Sequence, residues 1–82
     1  MSRQTAFITT TDIELAASYM EQTGRTPAVF REPGNALVSI EMVNDQITQQ
    51  VMMSFAIGDL MVNARRFSAC RAYLYRTIKA VK

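Results

Sequence analysis

The chain has 82 residues, 49% of them hydrophobic and 20% charged, with no histidine and one cysteine. That length allows one domain with one modest core, and the balance of residues argues against intrinsic disorder. The single Cys70 rules out an intrachain disulfide, and no stretch reaches the ~20 apolar residues of a membrane span. The opening "MSRQTAFITTTD" holds no apolar run of signal-peptide length, so the expected location is cytoplasmic.

"TAFIT" (5–9) is apolar and β-branched and predicts a first strand. "TDIE" follows, where Thr11 as cap and Glu14 three residues on form a capping-box pattern. Ile13, Ala16, Ala17 and Met20 then recur at helical spacing as a buried stripe, and Gly24 ends the helix. "TPAVFRE" (26–32) reads as a second strand, with Pro27 favouring an edge. "EPGN" makes a turn, and "ALVSIEMV" (36–43) is a third strand, with Val38, Ile40 and Met42 facing one way.

Asn44 is the expected cap of a second helix, along which Ile47, Val51 and Phe55 recur every four residues until Gly58. "DLMV" (59–62) is either a loop or a small fourth strand. Asn63 then caps a terminal helix whose apolar side carries Phe67, Cys70, Leu74, Ile78 and Val81. The order β-α-β-β-α-(β)-α predicts an α+β fold: a three- or four-stranded, mainly antiparallel sheet with helices on one face. Strand three should lie between strands one and two. Met20, Met42 and Met52 belong to the core by position, while Met53 and Met61 are candidates for a subunit contact.

The chemistry that is missing narrows the function. Without histidine the commonest general base and zinc ligand are gone, and the scattered acids form no catalytic pair. No catalytic residue, metal site or cofactor is expected, and Cys70 falls on an apolar stripe. Charge is unevenly placed: residues 1–63 hold three arginines and seven acids, a net of −4, whereas residues 64–82 carry +6. Arg76, Lys79 and Lys82 suit the C-terminal end of a helix dipole, but Arg65 and Arg66 sit in its first turn, where cations are disfavoured. Something must offset them: Asp59, an acid from another element, or a bound anion. Asn63, Arg65, Arg66, Arg76 and Lys79 are therefore the candidate anion or nucleic-acid contacts. Arg65, Arg76 and Lys79 should be exposed, and Arg66 and Arg71 partly paired with acids from residues 1–63.

The chain also resembles a family of small bacterial and phage-associated domains of unknown function. The likeness lies in "FITTTD", "ELAASYMEQTG", "ALVSIEM" and "GDLMVNARRFSACRAYLYRTIK", with Asn63 where that family favours aspartate. It implies a compact α+β domain in a mobile-element context and no assigned activity. The reading that follows is a non-enzymatic module acting on itself, as a homodimer, or on another protein. The alternative is a nucleic-acid-binding accessory protein using the basic terminal helix, with weak, sequence-indifferent affinity.

Overall fold

The computed structural model describes residues 6–31, 33–34 and 36–81. Thr5 at the expected start of the first strand, Glu32 and Asn35 of the turn, and Lys82 of the basic run lie outside the described residues. The elements are β1 (Phe7–Thr10), α1 (Ile13–Thr23), β2 (Ala28–Arg31), β3 (Val38–Val43), α2 (Gln46–Ile57) and α3 (Ala64–Ala80). The strands form one sheet in the order β1-β3-β2, with both pairings antiparallel. β1 and β2 therefore run parallel to each other with β3 between them, as the crossover argument requires. The sheet has three strands, because residues 59–62 form a loop rather than a fourth.

Cross-strand partners share a face. Ile8 pairs with Met42, and Val29 with Ile40, all directed at the helices. Ile40 and Met42 are fully buried there. α1 lies in the middle of the helix layer. On one side Ala16, Ala17 and Ile40 meet Leu74 of α3, with Val29 and Phe67 alongside. On the other, Leu15, Tyr19 and Met42 meet Met52 and Phe55 of α2, with Ile8 alongside. α2 thus flanks the β1 side and α3 the β2 side. Among the described residues no helix lies over the opposite sheet face, which bears Phe7, Thr9, Ala28, Phe30, Ser39, Glu41 and Val43.

Several local expectations are corrected. β1 begins at Phe7 and runs to Thr10, and β2 is confined to 28–31. Asp12, not Thr11, caps α1, because one carboxylate oxygen accepts from both Glu14 N–H (2.9 Å) and Leu15 N–H (3.2 Å). Asp45, not Asn44, caps α2 by accepting from Thr48 N–H at 3.0 Å. The buried stripe of α2 is correspondingly Thr48, Val51, Met52 and Phe55, which leaves Ile47 about half exposed. Gly24, Gly34 and Gly58 all have positive φ, as the two helix ends and the β2–β3 turn demand.

Candidate functional site

α3 presents the basic residues, and its start is built as the sequence suggests. The Asn63 side chain accepts from Arg66 N–H at 3.0 Å, which turns the chain into the helix. Arg65, Arg66, Arg76 and Lys79 are all exposed. At 100° per residue Arg65, Arg76 and Lys79 share the outer stripe, with Ser68, Ala69 and Ala72 between them. The helical rise separates Arg65 from Arg76 by about 16 Å, so the structure yields two basic groups along one stripe. Arg66 points to a flank, and among the described residues no carboxylate lies at ion-pair distance from it. Its expected pairing is therefore corrected. Arg71 does pair: its guanidinium lies 3.8 Å from Glu14 of α1 and 5.6 Å from the centre of the Tyr75 ring.

The cost of two arginines in a first turn has a visible offset. Glu21 of α1 reaches the start of α3, where its carboxylate accepts from Asn63 N–H at 3.3 Å. The neighbouring Gln22 donates to the Met61 carbonyl at 3.0 Å, which fixes the loop leading into α3. An acid from another element thus stands at the N-terminal end of α3, one of the three offsets expected for the two arginines. Glu21 also acts on Cys70. Burial pushes that thiol up first and Glu21 adds to it, with Arg66 opposing. Cys70 packs against the Ala16–Leu74 cluster, where its burial favours the protonated thiol.

A second polar constellation lies away from α3, at the junction of α1, β3 and α2. Arg25 Nη2 meets Asp45 Oδ2 at 2.8 Å, while the other Asp45 oxygen caps α2. Arg25 and the Thr48 backbone hold the Asp45 carboxyl well below the usual range, at about 2. Buried Tyr19 accepts from Val43 N–H at 3.1 Å beside this pair. Nothing in the local spacing of Tyr19, Arg25 and Asp45 announces this contact, which only the fold creates. Its two charges cancel, and the pair ties the end of α1 to the start of α2, although Arg25 Nη1 and the Thr48 hydroxyl are buried there without a hydrogen-bond partner among the described residues.

The clearest concavity is a groove of about 210 Å³ lined by Gln22, Ile47, Gln50, Val51, Ser54 and Leu60. That is below the ~300–1,000 Å³ usual for small-molecule sites, and no lining residue is titratable in the working range. Among the described residues no three His, Cys, Asp or Glu side chains gather as a metal site would require, and no helix is long and apolar enough to cross a membrane.

What the surface does offer is uncharged apolar area. Met53, Ile57 and Met61 are 68%, 67% and 84% exposed. α2, which carries the first two, contains no charged residue from Gln46 to Ile57. No family model, curated protein or solved structure matches the chain.

Proposed function

We propose that the chain is a non-enzymatic interaction module that works by associating with itself or with another protein chain. One observation carries this reading: α2 turns Met53 and Ile57 to solvent on a helix without a single charge. A small monomer gains nothing from such a face, whereas an interface core is depleted in charge and enriched in methionine. The resemblance to phage-associated domains adds a bacterial, mobile-element context, and the single cysteine suits the cytoplasm. Sedimentation equilibrium from low to high micromolar concentration tests self-association. A homodimer is expected, and a monomer throughout the range would overturn that part of the proposal.

The outer stripe of α3 supports a second reading, in which Arg65, Arg76 and Lys79 contact nucleic-acid phosphates. With ~3–4 phosphate contacts, log K would fall against log salt with a slope near −3, leaving little affinity at physiological ionic strength. Fluorescence anisotropy with duplex and single-stranded oligonucleotides across a salt series measures it. Submicromolar binding at about 150 mM salt, lost on replacing Arg65 and Arg66 together, would make this the primary function.

A further inference from the structure

Asn44 N–H donates to the Ala6 carbonyl at 2.9 Å, which sets the phase of the β1–β3 ladder. In an antiparallel pair, opposed residues alternate between bonded and non-bonded positions. Ala6, Ile8 and Thr10 are thus bonded to β3, and the peptide groups of Phe7 and Thr9 point away from it, out of the edge of β1 that pairs with no strand among the described residues. The Tyr19–Val43 bond confirms the phase, because it takes the Val43 N–H on the opposite side of β3, beyond the end of β2.

The two edges of the sheet differ. β2 is preceded by Pro27 and ends on Arg31, two common guards against edge pairing, and α3 lies on its side. β1, FITT, carries neither proline nor charge. α2 lies on the same side of the molecule. Met52 and Phe55 of α2 and Ile8 of β1 all pack against the same Leu15–Tyr19–Met42 cluster, and Met53, next along the helix, turns away from it to solvent. An unguarded strand edge and a charge-free helix face therefore adjoin.

Building on the self-association reading, we infer that two copies of the chain pair through the free edge of β1. The strands run antiparallel with Ile8 on the twofold axis. Phe7 of each copy then exchanges both backbone hydrogen bonds with Thr9 of the other, and the outer faces of the two α2 helices meet below, around Met53. The sheet becomes continuous, in the order β2-β3-β1-β1-β3-β2.

A second copy fits this surface for three reasons. A twofold axis needs a self-complementary patch, and an antiparallel strand edge is one. Neither β1 nor α2 contains a charge to oppose its own image. Stable dimers bury roughly 1,200–2,000 Å² in total, which a four-residue edge cannot supply unless the helix face joins it. Pairing through the helix-free sheet face instead would bring together two copies of Glu41, which stands between Thr9 and Ala28 there, and bury both carboxylates.

The test separates this geometry from self-association as such. Because Thr9 N–H faces outward, Thr9→Pro removes an edge donor while leaving the bonds to β3 intact. It should raise the dimer dissociation constant about tenfold or more, as should Met53→Lys, which buries an unpaired charge. Phe30→Asp, on the helix-free face, should leave dimerisation unchanged. Met53→Cys in a Cys70→Ser background should give a disulfide-linked dimer on mild oxidation. Circular dichroism identifies any variant that fails to fold, and Met53→Cys keeps the edge geometry testable if Thr9→Pro is one. Dimerisation lost with Phe30→Asp but kept with Met53→Lys overturns this geometry and leaves self-association standing. A wild-type chain that stays monomeric at every concentration overturns both.

Discussion

Tyr19 is 1% exposed, yet its hydroxyl is the hinge of the polar junction. It accepts from Val43 N–H beyond the end of β2, where the ladder no longer supplies a partner. Tyr19→Phe would leave that donor unpaired and should cost about 1–3 kcal/mol in urea unfolding. Leu74 is fully buried against Ala16, Ala17 and Ile40, so Leu74→Ala should cost about 2–5 kcal/mol. Asp45 gives a pH signature. Its carboxyl titrates at about 2 in the folded chain, below its ordinary value near 3.8, because Arg25 and the Thr48 backbone favour the charged form. The stabilisation is present above pH 4 and is lost as the pH falls through about 2. The melting-temperature advantage of wild type over Asp45→Asn should therefore be full at neutral pH and close towards pH 2. An advantage that persists unchanged at pH 2 would assign the effect to something other than the ion pair.

Helix starts show how much local sequence determines. "TD" before α1 and "ND" before α2 each offer two adjacent cap-forming residues, and the aspartate takes the role both times. Asp12 satisfies two N–H groups, and Asp45 adds an ion pair with Arg25, a partner that α2's own sequence does not reveal. Packing of Met52 and Phe55 on the Leu15–Tyr19–Met42 cluster leaves Ile47 turned outward. Asn63 before α3 has no acidic rival and was legible directly; Asn63→Ala should lower stability by about 1 kcal/mol in thermal or denaturant unfolding. The exposed stripe of Arg65, Arg76 and Lys79 was equally readable from helical periodicity. Glu21, which answers the two arginines of the first turn, was not, because it is a tertiary neighbour. The charge-free run of α2 could be read as composition, and Met53 was already a candidate contact, whereas the exposure of Ile47 and Ile57 came only with the fold.

At the scale of the molecule, the dimensions of 41 × 36 × 20 Å fit one sheet layer and one helix layer. Strand order and pairing followed from the element order, since a hairpin and a crossover leave few arrangements. The placement of the helices on one sheet face was expected too, although both strand faces carry apolar residues. β3 is the only strand among the described residues bonded on both sides, and its inward side chains lie in both core clusters. Its central amides, around Ile40, should exchange with deuterium most slowly of the three strands. Comparable exchange along β2 would mean that the sheet opens as a unit rather than from its edges.

The strand order also dictates a sequence of events in time. Arg31 meets Val38 across a short turn, whereas Phe7 must find Val43 after α1, β2 and the turn have all been laid down between them. The entropy of closing a loop rises with the logarithm of its length, so the β2–β3 hairpin has the smaller cost to meet. The hairpin with α1 packed on it should form the folding nucleus, and β1 should dock afterwards. Ile40→Val should then slow folding, while Ile8→Ala should chiefly speed unfolding, as read from the two arms of a chevron plot. A slower folding arm for Ile8→Ala would place β1 in the nucleus instead.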